Sequence, residues 1–224
     1  MLNDVQAGSL YAHFRQAAER TPDKLALVIG SADYTYHDLL KTVDALAGGL
    51  TDLGVHSGEH LGVLLPNCAE FVLVLLAGAR LGVVIVPQSM GLSAEAVVST
   101  FTASHVQHLI VWSGVASSIE GMGRLRDGVC VVVGGYQPDW VEFQTVLDKG
   151  HNYSRPLPNT LDDLPYLMVL TSGSTGQPKP ILLSQRTKLR IFHARHLDRR
   201  GTCAWRHVFH RGVIAVEADP RCAD

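Results

Sequence analysis

The chain has 224 residues, 46% of them hydrophobic and 18% charged, with a formal net charge of −2. This is the composition of a globular protein with a core, and the small charge excludes a protein built around nucleic-acid or acidic-membrane binding. The four cysteines contain no C-x-x-C pair, which favours a reducing compartment over a disulfide framework. They are Cys68, Cys130, Cys203 and Cys222.

The N-terminal residues and the most apolar run of the sequence indicate the cellular location of the protein. The first residues lack the charged and then apolar order of a signal peptide. The run that begins at Phe71 is interrupted by Arg80 and closed by Pro87, so it is too short for a membrane span. We predict a soluble, cytoplasmic protein that binds neither membrane nor nucleic acid.

The first third of the chain predicts a helix, a strand and a longer helix. Ser9 is a candidate N-cap for a helix with apolar residues at helical spacing, and "LALVI" reads as a strand. A turn is expected around Ser31–Asp33. The stretch "YTYHDLLKTVDALAGGLTDLG" then predicts a helix that stops near Gly54.

The middle of the chain predicts a parallel sheet. "HLGVLL", "CAEFVLVLLAGARLG" and "VVIV" form a strand, a buried helix and a strand, and the helix "LSAEAVVSTFTAS" feeds a strand at 108–112. A Gly/Ser-containing segment separates it from the β-rich run 129–133, and a turn-rich connector with one short helix covers 134–165. The fold class predicted is α/β, with a mostly parallel sheet flanked by helices. His105 and His108 are interpreted as surface or edge residues without a role.

The motif that carries chemistry is "TSGSTGQPK", from Thr171 to Lys179, between the candidate strands "YLMVL" and "ILLS". Glycine lets backbone N–H groups approach a ligand, hydroxyls add donors, and lysine adds charge, so the run is typical of a phosphate site. A P-loop is excluded because Pro178 and Pro180 flank the lysine where that motif needs glycine and a hydroxyl residue. A G-x-G-x-x-G fingerprint also fails, since its first glycine is missing. The alternative is a flexible Gly/Ser turn without a ligand.

The motif and its surroundings resemble a known family. "YLMVLTSGSTGQPKPILLSQRT" looks like the phosphate-binding motif of the adenylate-forming superfamily, which includes acyl-CoA synthetases, luciferases and nonribosomal peptide synthetase adenylation domains. The upstream stretch from "YTYHDLL" to "GVVIVPQS" is similar to that family's N-terminal part. The resemblance covers residues 9–190 and implies the N-terminal part of the large domain.

The resemblance implies ATP-dependent activation of a small carboxylic acid, forming an acyl-adenylate that passes to a thiol, in secondary metabolism. It further implies ATP, Mg2+, a coenzyme A or phosphopantetheine thiol, and a carrier protein or downstream enzyme as partners. Catalytic residues remain unknown, and no metal ligands are assigned. The residues matched to phosphate binding are Thr171, Ser172, Gly173, Ser174, Thr175, Gly176 and Lys179.

The chain also departs from the family. Pro180 stands where the family usually has glycine, and Gln185 stands where histidine is common. Residues 1–185 carry 10 basic and 17 acidic residues, whereas residues 186–224 carry 9 and 4. We interpret 191–224 as an unmatched, poorly packed Arg/His-rich tail whose histidines and Cys203 are spaced by chance.

The family's later motifs and its lysine-bearing C-terminal domain have no counterpart here, so we expect a truncated member. The alternative function is a catalytically inactive remnant or pseudoenzyme that serves as a binding or interaction module.

Overall fold

The computed structural model describes residues 9–30, 32–120, 128–153, 163–171, 179–188 and 214–216. The helices in these ranges are α1 (Leu10–Arg20), α2 (Tyr36–Asp52), α3 (Ala69–Leu81), α4 (Ala94–Ala103), α5 (Ser113–Glu120) and α6 (Phe143–His151), and residues 185–188 are also helical. The strands are β1 (Leu25–Ile29), β2 (Ala32–Thr35), β3 (His60–Leu64), β4 (Val84–Pro87), β5 (His108–Trp112), β6 (Cys130–Val133), β7 (Val141–Glu142), β8 (Pro165–Thr171), β9 (Lys179–Ser184) and β10 (Ile214–Val216).

Seven strands form one large sheet in the order β7-β6-β5-β3-β4-β8-β9. Every neighbouring pair is parallel except β8 and β9, which run antiparallel. A parallel neighbour requires a crossover connection, and α3, α4 and α5 lie in the connections that follow β3, β4 and β5. The predicted α/β class with a mostly parallel sheet is confirmed.

The sheet lies between two helical layers because its strands are apolar on both faces. On β4, Ile85 packs into the core cluster that includes α2, α3 and α6. Its neighbours Val84 and Val86 pack into the opposite cluster with α4 and α5. Successive strand residues point to opposite faces, so a continuous apolar run supplies both layers.

A second, smaller sheet has the order β10-β1-β2. The turn predicted around Ser31–Asp33 was placed too far along the chain, because β2 begins at Ala32 and pairs antiparallel with β1. Gly30 has φ 58°, the left-handed conformation that lets a tight turn form there. On the other side, β10 pairs parallel with β1, with Ile214 opposite Leu27. The rest of the predicted tail lies outside the described residues.

Helix ends carry capping residues, of which Ser9 and Gly54 were predicted. Ser9 caps α1, its hydroxyl oxygen accepting from the Ala12 amide at 3.1 Å, as predicted. Thr35 and Ser93 cap α2 and α4 in the same way. Gly54 has φ 98° just beyond α2, which confirms the predicted stop.

Two elements in the middle of the chain were not predicted. The Gly/Ser-containing segment after β5, for which no element was predicted, forms α5. Residues of α5 such as Ala116 and Ile119 are buried, so tertiary packing overrides a weak local preference. The two-residue strand β7 extends the sheet beyond β6 and is too short to produce a periodic signal.

The interpretation of His108 as a surface or edge residue is wrong. His108 is only 6% exposed, although it is the first residue of β5. The Val129 amide donates to its Nδ1 at 3.0 Å, so this nitrogen carries no proton and Nε2 donates to Glu59 Oε2 at 2.9 Å. His108 therefore joins the starts of three strands, whereas His105 is exposed as expected.

Candidate functional site

The candidate phosphate loop joins the antiparallel strands β8 and β9. Their register places Thr171 opposite Lys179, followed by Leu170 opposite Pro180. The structure therefore brings together the first and last of the predicted site residues. The five between them, Ser172, Gly173, Ser174, Thr175 and Gly176, lie outside the described residues.

The hairpin setting supports the exclusion of a P-loop. A P-loop opens a helix directly after its lysine, whereas here Lys179 begins the six-residue strand β9. Pro180 fits this strand because β9 is the edge strand of the large sheet, where a missing backbone donor is tolerated.

The loop leaves the sheet at the carboxyl ends of the parallel strands. Strand β8 pairs with β4 through Leu167 and Ile85, so the end of β8 lies beside the end of β4. The segment that follows β4 is itself held in place, because the Gln88 amide donates to the Val63 carbonyl at 2.9 Å. Ligands of open α/β sheets bind outside the carboxyl ends of the strands, so this edge is the expected position for a site.

The hairpin is fixed to the helical layer by a tyrosine. Tyr166 on β8 is 2% exposed, and its hydroxyl donates to the Leu75 carbonyl of α3 at 2.9 Å. Burial raises the pKa of this hydroxyl, so Tyr166 stays protonated and remains a donor. Tyr166 was predicted only as part of an apolar strand, and its hydrogen bond had no signal in the sequence.

The second fixed point is Gln185, directly after β9, which is fully buried. Its side-chain oxygen accepts from the Leu10 amide at 2.8 Å, and its nitrogen donates to the Ala79 carbonyl at 2.9 Å. The sequence singled out Gln185 as a departure from the family but did not predict this contact. A more exposed ion pair nearby joins Arg186 to Asp163 at 3.0 Å.

Membrane and metal sites were searched in the part of the chain that the structure describes. No helix there has the length and apolar character needed to cross a bilayer. Within the same residues, no three His, Cys, Asp or Glu side chains are grouped to hold a metal ion. The histidines of the predicted tail lie outside the described residues.

The sheet, its helical layers and the edge hairpin define an α/β protein with a candidate anion site at the carboxyl edge. The sequence matches the family described as AMP-binding enzyme over residues 14–209. The chain belongs to this family, and the resemblance to adenylate-forming enzymes is confirmed.

Relatives include a tyrocidine synthase and an acyl-CoA ligase. Tyrocidine synthase 2 of Brevibacillus parabrevis is 26% identical over 190 residues, which cover 85% of this chain and 5% of that protein. The uncharacterized acyl-CoA ligase YtcI of Bacillus subtilis (strain 168) is 26% identical over 149 residues, which cover 66% of this chain and 28% of that protein. The chain thus spans much less than the length of either relative.

A solved structure shares the fold. The N-terminal subdomain of NpsA from Klebsiella oxytoca, in complex with 3-hydroxybenzoyl-AMSN, has a TM-score of 0.70 and 24% sequence identity. The similarity covers 83% of this chain and 43% of that one. The family match reaches residue 209, past the predicted boundary at Arg190, and the division into 9–190 and 191–224 stays a prediction.

Proposed function

We propose that the chain binds the β- and γ-phosphates of ATP at the β8–β9 hairpin. The observation that carries the proposal is the register, which places Thr171 opposite Lys179 at the carboxyl edge of the sheet. Seven residues separate this threonine from this lysine in the sequence, and five of them are serine, threonine or glycine. In this proposal Thr171, Ser172, Gly173, Ser174, Thr175 and Gly176 supply hydroxyl and backbone donors, and Lys179 supplies positive charge.

The reaction that such binding serves is the activation of a small carboxylic acid. A carboxylate oxygen attacks the α-phosphorus of ATP, and the bond from that phosphorus to the bridging oxygen breaks, which releases pyrophosphate. A thiolate then attacks the acyl carbon and AMP leaves. Because the chemistry of phosphoryl and nucleotidyl transfer is dominated by positioning and charge, a loop that holds the leaving pyrophosphate contributes directly to the rate.

The thiol is the pantetheine group of coenzyme A or of a carrier protein. Both alternatives are supported by relatives, since one is an acyl-CoA ligase and another a tyrocidine synthase. The similarity to tyrocidine synthase also supports a place in secondary metabolism. Mg2+ would arrive bound to the ATP phosphates, since this ion is usually held by substrate phosphate oxygens together with few protein ligands.

The test is the affinity of the 224-residue chain for ATP, measured by calorimetry for the wild type and for Lys179→Ala. Loss of a charged donor to phosphate is expected to weaken ATP binding at least about tenfold. Lys149→Ala is the matched control, because Lys149 pairs with Asp52 at 3.5 Å on the surface of α6 and lies outside the candidate site. This control is expected to bind ATP as the wild type does.

Two results would contradict the proposal. Equal ATP affinity of Lys179→Ala and the wild type would remove the lysine from the site. A folded wild type that binds neither ATP nor pyrophosphate would support the alternative function, a non-catalytic remnant that acts as an interaction module.

A further inference from the structure

Exposure along β9 shows where the hairpin is attached to the rest of the protein. Ile181 and Leu182, near the loop, are 43% and 52% exposed. Leu183 and Ser184 are partly buried, and Gln185 is fully buried. The loop end of β9 is therefore held mainly by its pairing with β8, while the foot of the hairpin is held by packing.

The side-chain amide of Gln185 caps the ends of two helices. Leu10 is the first residue of α1, so its amide has no acceptor within that helix, and it donates to Gln185. Ala79 lies in the last turn of α3, where the Val83 amide donates to Gly78 at 3.2 Å and not to Ala79. The Ala79 carbonyl instead accepts a hydrogen bond from the side-chain nitrogen of Gln185. One amide thus serves as an N-terminal cap for α1 and a C-terminal cap for α3.

The two strands of the hairpin are tied to consecutive turns of one helix. Tyr166 on β8 donates to the Leu75 carbonyl, and Gln185 donates to the Ala79 carbonyl four residues further along α3. Carbonyls four residues apart lie one turn apart on the same side of a helix. The pair of bonds therefore fixes both the position and the direction of the hairpin relative to α3.

We infer that Gln185 is the positioning residue of the candidate phosphate loop. This inference rests on the proposed function, because it assigns to Gln185 the task of directing the loop that binds ATP. Gln185 is the only fully buried side chain within residues 180–188, and without its two hydrogen bonds it no longer holds the end of β9 to α1 and α3. Strand β9 then pivots about β8, and Lys179 no longer keeps a fixed position relative to Thr171.

The first test measures amide hydrogen exchange in Q185M, which keeps an unbranched side chain of similar length but removes both polar groups. The control is Thr35→Ala, which also removes one helix cap, since Thr35 accepts from the Asp38 amide at 3.1 Å on α2. We expect exchange across 163–171 and 179–188 to become about tenfold faster in Q185M than in Thr35→Ala at matched global stability, because local opening is governed by local contacts.

A third variant keeps the test decisive if Q185M does not fold. Q185N keeps the amide group on a side chain one methylene shorter, so it reaches at most one of the two partners, and hairpin exchange should lie between wild type and Q185M. Hairpin exchange in Q185N or Q185M that equals that of Thr35→Ala would overturn the inference, because Gln185 would then contribute only to global stability.

The second measurement is ATP affinity of the same variants. Q185M is expected to bind ATP about tenfold more weakly than Thr35→Ala, which corresponds to about 1.4 kcal/mol. Equal affinities would overturn the positioning role. If the wild type itself binds no ATP, the proposed function fails, and the exchange measurement still decides whether Gln185 fixes the hairpin.

Discussion

Single polar residues fix the starts of the parallel strands. Glu59, just before β3, accepts from the His56 amide at 2.6 Å and from His108 at 2.9 Å, both through Oε2. Burial by itself would raise the pKa of Glu59, but the hydrogen bonds from His56 and His108 outweigh it and lower the pKa below its ordinary value. Glu59 thus stabilises the fold in its ionised form.

Glu59→Gln should lower the free energy of unfolding at neutral pH by about 1 kcal/mol, because the amide oxygen keeps neutral hydrogen bonds where the carboxylate has stronger, charge-assisted ones. Because the folded pKa is lowered, the contribution of Glu59 is complete above its ordinary pKa of 4.5 and is lost as pH falls through the folded value. Urea unfolding from pH 7 to pH 3 should therefore show wild type and variant converging in acid.

Glu19→Gln is the control for this measurement. Glu19 pairs with Arg15 on the surface of α1, and its side chain is 64% exposed. Its loss should change stability by less than about 0.5 kcal/mol. A difference between wild type and Glu59→Gln that stays constant down to pH 3 would show that the ionised carboxylate is not the stabilising form.

The contacts of buried polar residues were the least predictable feature of the sequence. Gln185 bonds to residues 175 and 106 positions away, and Glu59 bonds to His108 across 49 positions. Periodicity and capping report only neighbours within a few positions, so they indicate a polar residue and not its partner. The candidate loop was predictable because its residue types, order and flanking strands are all local.

Helices and strands were predicted where local signals agreed. The α1 and α2 helices carry a cap, an apolar stripe and a stop, and β5 was predicted with its observed bounds. The α5 helix was missed because serine and glycine dominate its sequence and burial alone stabilises it. Strand order within the sheet also depends on long-range pairing that no local pattern contains.

The α2 and α6 helices approach through glycines. A Cβ atom at Gly150 would lie 1.6 Å from the Ala45 carbonyl oxygen, and one at Gly49 would lie 1.9 Å from the Val146 carbonyl oxygen. Each distance is far below van der Waals contact and involves backbone, which no side-chain rotation can relieve. The close contact of these helices therefore depends on the absence of side chains at these positions.

Gly150→Ala should destabilise the protein by about 3 kcal/mol, the upper end of the usual range for overpacking, because the two helices must separate. The measurement is the change in the free energy of unfolding by urea. Alanine has a higher helix propensity than glycine. This gain of about 1 kcal/mol acts in the opposite direction and is smaller than the cost of overpacking.

Gly91→Ala provides the control, since a Cβ atom there meets only Ser89 Oγ at 3.7 Å. Its stability should differ from wild type by less than about 0.5 kcal/mol. A Gly150→Ala variant as stable as Gly91→Ala would mean that α2 and α6 can separate without losing buried contacts.

At the scale of the whole molecule, the small sheet joins distant parts of the chain. Strand β1 is paired on one side with β2, its neighbour in sequence, and on the other with β10, which lies nearly 190 residues further on. The side chains of Ala26, Leu27 and Ile29 on β1 are buried in the same core cluster as α2 and α3. Pairing with β10 therefore protects a strand that belongs to the main core.

Removal of residues 214–224 should open the β10 side of β1. Among Leu27, Val28 and Ile29, the residues in register with β10, exchange should become faster at the amides that point towards β10. An unpaired edge exposes backbone groups to water, so exchange there should be about tenfold faster or more. Removal of 217–224 alone retains β10 and should leave exchange unchanged. Equal protection of β1 in both shortened chains would show that β2 and the core hold β1 without β10, and that residues 214–216 add nothing to its stability.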